Sequence, residues 1–121
     1  MKLDCHVHMW NFNADEYKWI APTNAALRHD FLPEDLARLQ EPLGFEGAVV
    51  VQARQSLAET DFLLGLADAH KNVRGVMGWV DLRSDDARAQ LERFVDHPLF
   101  CGVRHVIQDE PDDRFIVRED F

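Results

Sequence analysis

The chain has 121 residues, 46% of them hydrophobic, and its 13 Lys and Arg against 22 Asp and Glu give a formal charge of −9. That is one globular domain over residues 1–121, and only about half of what a closed eight-stranded α/β barrel needs. Phosphate binding draws on clustered Lys and Arg, whereas the basic residues here are scattered among acids, so neither a nucleic acid nor an anionic membrane is expected as partner.

No apolar run approaches the roughly 18 residues that a membrane-crossing helix needs, and the first residues lack the apolar segment of a secretion signal. Cys5 and Cys101 stand in apolar sequence without paired spacing. Both are expected as buried, reduced thiols, with the cytoplasm as default setting.

Short β-rich runs alternate with segments of helical period, the pattern of βα units on a parallel sheet. The first run, residues 3–9, holds the pair His6 and His8. Side chains two apart on a strand share a face, so both imidazoles can converge on one metal ion. Six histidines produce about 0.3 such pairs by chance in this length, so the spacing alone says little. Position says more. Asp4, His6, His8 and Trp10 share one parity and Leu3, Cys5, Val7 and Met9 the other, and a polar inward face is costly unless something is coordinated there. Hydrogen-bonded structural histidines are the alternative, and a catalytic zinc needs more protein ligands than two.

Residues 10–31 read as a long loop, too aromatic for a linker with Trp10, Phe12, Tyr17 and Trp19, and so expected to fold over something. Pro33 suits a first helical position, with Leu36 and Leu39 facing inward before Gly44. Residues 47–52, Gly-Ala-Val-Val-Val-Gln, form a second strand covered on both faces and ending at Gln52. Ser56 and Glu59 have capping-box spacing, opening a helix to about His70. A third strand over 73–82 leads to Asp81. Ser84 is the expected N-cap of a helix whose face is Ala87, Leu91, Phe94 and Val95, stopped by Pro98.

A fourth strand over 102–108 points Val103, His105 and Ile107 one way and Arg104, Val106 and Gln108 the other, and which set faces inward stays open. The acids from Asp109 to Asp113 read as a solvated turn. Residues 117–121 resemble the first turn of a fourth helix, so the chain reads as the front part of something longer. Sites in parallel α/β folds form at the C-terminal strand ends, which makes Gln52, Trp79, Asp81, Gln108 and Asp109 candidates by position. His29, His70 and His97 are better explained as surface or cap groups. Neither a phosphate-binding glycine loop nor a Gly-x-Ser-x-Gly elbow occurs.

Asp4-Cys5-His6-Val7-His8-Met9-Trp10 resembles the first-strand motif of the amidohydrolase superfamily. Val50-Val51-Gln52-Ala53 with Leu57-Ala58-Glu59-Thr60, Gly78-Trp79-Val80-Asp81-Leu82, and Gly102-Val103-Arg104-His105 through Gln108-Asp109-Glu110-Pro111 resemble its L-fuconolactonase-like and L-rhamnonolactonase-like branch. The resemblance implies an α/β fold, the N-terminal half (strands one to four) of a TIM-like (β/α)8 barrel. It implies His6 and His8 as catalytic metal ligands for a divalent ion, zinc or manganese, with further ligands on strands five, six and eight.

It also implies attack of an activated water on a sugar lactone, a small-molecule substrate that Gln52, Trp79, Arg104 and His105 help to hold. Such a chain needs a C-terminal half or self-association, because its sheet edges and Val-rich runs are open. A non-catalytic half-barrel remnant or binding module is the second reading, and a decarboxylase or isomerase of the same superfamily the third.

Overall fold

The computed structural model describes all 121 residues. In chain order it places β1 (Asp4–Val7), α1 (Pro33–Gln40), β2 (Ala48–Val51), α2 (Leu57–Ala69), β3 (Val73–Gly78), α3 (Ala87–Glu92) and β4 (Phe100–Val103). The strands form one all-parallel sheet in the order β1-β2-β3-β4. Each crossover carries a helix, the connection that a parallel pair requires.

One face of the sheet carries the core. Val50 and Val76 are fully buried there against Leu63, Leu64 and Ala67 of α2, with Phe94 closing the far end. Gly78 is needed for this approach, since a Cβ on it would stand 2.6 Å from Cγ2 of Thr60. The opposite face has no helix. Val49, Val51, Met77 and Val103 line an open cleft on it together with Cys5, His6 and Arg104.

Both cysteines are exposed, contrary to expectation. Their apolar neighbours in sequence alternate between the two sides of a strand, and Cys5 falls on the side without a helix.

The alternation expected along the first strand is broken by a bulge. Asp4 pairs with Ala48 and Val7 with Val50, so three steps on β1 match two on β2. Within this irregular stretch the Asp4 Oδ1 accepts the His6 backbone N–H at 3.2 Å. Val7 packs on the core, which turns the flanking His6 and His8 toward the other side.

Strand four is shorter than expected and ends before His105. Its partner β3 ends at Gly78, because Thr60 Oγ1 accepts the Trp79 N–H and donates to the Trp79 carbonyl, both at 2.8 Å. With no ladder to extend, residues 107–109 turn into a 3-10 helix, and the alternation expected over 102–108 has no strand to act on.

Among the helices, Pro33 opens α1 and Ser56 caps α2 through the Glu59 N–H, as the spacing predicts. Leu36 packs inward but Leu39 is 70% exposed, since α1 lasts only eight residues and covers the sheet with one turn. The third helix is capped at Asp86 rather than Ser84, whose carbonyl accepts from Ala87 and whose Oγ accepts from Asp86. At the C-terminal end a 3-10 turn over 115–117 stands where residues 117–121 suggested a helix start. The aromatic loop folds into a small second core of Trp10, Tyr17 and Ile20, bridged by Trp10 to Phe31 and seated on Ala53 just beyond β2.

Candidate active site

His6 lies in β1, and His8, Gln52 and Arg104 lie just past the ends of β1, β2 and β4; His6 and Arg104 line one cleft and His8 and Arg104 another. The His6 and His8 rings meet edge to face, their centroids 5.0 Å apart. His8 Nδ1 lies 2.8 Å from the Val51 carbonyl oxygen. A carbonyl can only accept, so Nδ1 carries the proton and Nε2 keeps its lone pair, the tautomer in which a ligating histidine is held by an outer hydrogen bond. Burial, assisted by the Arg104 charge and by His6, lowers the His8 pKa, and the Val51 bond only partly opposes this. The imidazole is thus kept neutral, the form that binds metal.

Two imidazoles are part of a donor set. The chain contains no group of three or more His, Cys, Asp or Glu side chains arranged to hold a metal ion. His6 and His8 fit two positions around a divalent ion, and the remaining ligands have to come from elsewhere.

Arg104 is locked to Gln52 in both directions. Gln52 Nε2 donates to the Arg104 carbonyl at 3.0 Å, and an Arg104 terminal nitrogen donates to the Gln52 carbonyl at 2.8 Å. The Arg104 N–H is also tied to Gly78 at 2.9 Å. Gln52 is fully buried, so its amide is spent on positioning the arginine. Arg104 borders both the His6 cleft and a second cleft of about 180 Å³ lined by His8, Trp19, Ala53, Val106, Gln108 and Asp109. Its Nε is buried with no partner, and the guanidinium's protein hydrogen bonds run through one terminal nitrogen, Nη2, which leaves Nη1 as the terminal donor not engaged with the protein.

Trp79 and His105 are not brought to these clefts. The Trp79 backbone is held by Thr60, and its indole N–H is buried without a partner. His105 pairs through Nε2 with Glu110 at 2.5 Å and stacks on Phe115 at 15° between planes, with Phe121 edge-on. It belongs to a local cluster that folds the segment after β4.

Sequence reasoning missed the roles of Trp19 and Glu59. The aromatic loop was a visible signal for the first, but nothing in its composition marks which ring stays open to the cleft. Glu59 has the capping-box position, yet its Oε2 accepts the Ala53 and Arg54 N–H groups and its Oε1 the Tyr17 hydroxyl. The carboxylate is completely buried, and that burial pushes its pKa up. It pins the turn after β2 and the aromatic loop together beneath the site.

A family model described as "Amidohydrolase" matches residues 3–120. An L-fucono-1,5-lactonase of Burkholderia ambifaria is 36% identical over 115 residues, covering 95% of this chain and 40% of the relative. The L-fucono-1,5-lactonase of Burkholderia multivorans is 35% identical, covering 97% and 39%. A crystal structure of a Burkholderia multivorans amidohydrolase with bound zinc superposes with a TM-score of 0.94 at 34% identity, over 100% of this chain and 43% of that one. The chain thus spans about 40% of the length of the curated relatives it matches. Its four parallel strands and crossover helices are the arrangement of the first half of a (β/α)8 barrel.

Proposed function

The chain belongs to the amidohydrolase family, and on that premise we propose that it is the N-terminal half of a sugar-lactone hydrolase in which His6 and His8 are metal ligands. The observation that carries this reading is the pair of adjacent imidazoles, their centroids 5.0 Å apart, with His8 Nε2 left free by the Val51 bond. A divalent ion such as zinc or manganese, when bound, supplies Lewis acidity to a carbonyl and acidity to a water. The remaining steps fall to protein groups.

Arg104, fixed by Gln52, stands beside His8 and directs cationic N–H donors toward the oxygen of a lactone carbonyl, where negative charge grows as water adds. Breaking the ring C–O bond then yields the hydroxy acid. The carboxylate that moves the proton lies outside these 121 residues on this reading, and so do the remaining ligands. The two unpaired thiols favour a reducing, cytoplasmic setting. This reading gives Trp79 and His105 no direct part, since neither lines the clefts beside His6 and His8.

The test uses the barrel-length protein. His6→Ala and His8→Ala are each expected to take bound metal below one equivalent and to lower lactone hydrolysis by about 100-fold or more. Unchanged rates in both variants would overturn the metal-centred reading. The incomplete donor set also supports a second statement, about the segment alone: these 121 residues by themselves hydrolyse no lactone. Measurable turnover by the isolated chain would contradict it.

A further inference from the structure

Trp19 is the only aromatic among the large hydrophobic side chains left exposed, at 48%. Its neighbours explain how it comes to be there. Tyr17 and Ile20 are both buried in the small loop core, and the Ile20 N–H donates to the Tyr17 carbonyl at 2.9 Å, so Lys18 and Trp19 occupy the tip of a tight turn. Turn tips ordinarily carry small or polar residues, and an indole there keeps much of its surface in water.

The ring is also held in a set orientation. Trp10 meets it edge to face at 89° and 5.7 Å, and Trp10 is itself anchored by its indole N–H donating to the His29 carbonyl at 2.9 Å. Trp19 borders two adjoining clefts, of about 180 Å³ and about 380 Å³, which share Trp19, Ala53, Val106 and Asp109. His8 and Arg104 lie in the smaller of them.

We infer that Trp19 is a specificity-determining residue, the platform on which the C–H-rich face of a sugar-lactone ring stacks while its carbonyl is directed toward Arg104 and His8. This rests on the lactonase reading above. An aromatic face is electronegative and attracts the weakly positive C–H bonds of a sugar ring, whereas hydroxyl groups need polar partners. Gln108 and Asp109, on the same cleft and exposed, supply those partners for the ring hydroxyls. A pre-oriented ring loses little freedom on binding, so the contact adds affinity without requiring the loop to close.

The experiment compares wild type, Trp19→Phe, Trp19→Leu and Trp19→Ala in the barrel-length protein with L-fucono-1,5-lactone as probe. Trp19→Leu and Trp19→Ala are expected to raise KM about tenfold or more with kcat within about threefold, while Trp19→Phe stays within about threefold of wild type on both. Thermal melting of the leucine variant, which keeps apolar bulk against Trp10, separates the stacking role from a purely structural one. A KM unchanged in Trp19→Leu, or a phenylalanine variant no better than leucine, overturns the assignment and leaves the lactonase reading intact. A wild-type protein that hydrolyses no sugar lactone overturns both.

Discussion

Glu59 shows how one buried side chain ties a site to its frame. Its carboxylate takes two backbone N–H groups from the turn after β2 and the Tyr17 hydroxyl from the aromatic loop. Glu59→Ala removes the acceptor for both turn amides and is expected to cost about 2–3 kcal/mol, read by urea unfolding. Glu59→Gln keeps an acceptor oxygen and isolates the charge. Burial raises the native-state pKa above the unfolded value, so the native state binds this proton more tightly. Its contribution is therefore fully present below the unfolded carboxylate pKa and is lost as pH rises through the raised native value. Relative to wild type, Glu59→Gln should gain stability as pH is raised from about 4 to about 8. A stability difference that stays flat over that window would remove burial as the dominant influence on Glu59. Sequence spacing placed this residue in the first turn of a helix, but only the folded loop reveals what its oxygens accept.

At the scale of elements, the short strands follow from what ends them. Thr60, one turn into α2, replaces the ladder partners of Trp79 with a single hydroxyl and so terminates β3. Thr60→Val keeps the shape but leaves the Trp79 N–H and carbonyl without that partner, at an expected cost of about 1–3 kcal/mol in thermal or urea unfolding. Thr60→Ser should recover most of it. Equal loss in both variants would mean that packing of the methyl group against Gly78 matters more than the hydroxyl. The elements that sequence reads well are those with a local cause, such as Pro33 at the start of α1 and Ser56 capping α2. The boundaries it misplaces depend on partners outside the element itself: at β4 Arg104 bonds to Gly78 and to Gln52 far back along the chain, and at α3 the Asp81 N–H donates to Gln90 across the helix start.

For the whole molecule, the helix-free face dominates. Val49, Val51, Met77 and Val103 line one open cleft, and β1 and β4 are both edge strands. In a closed barrel such side chains fill the interior and such edges pair with further strands. The 121-residue chain by itself is expected to self-associate or to precipitate as it is concentrated, by edge pairing and apolar contact. Elution as a sharp monomer in size-exclusion chromatography would show that the open face is tolerated in water.

The order of strands and helices, the parallel sheet and the His6 and His8 pair were determined by the sequence itself, because apolar period, cap chemistry and strand alternation act over a few residues. Tertiary structure alone decided which candidate side chains share a cleft. The Asp4 carboxylate was taken up by the His6 backbone N–H, and the early end of β4 sent His105 to Glu110 and Phe115 instead of to the site. Gln52 became the clamp for Arg104, and Trp19 came to stand beside His8. The Gln52 clamp and the Trp19 cleft join residues distant in sequence, and even the nearer His105–Glu110 pair follows from where β4 ends, so a local pattern carries no information about which partner wins such a group.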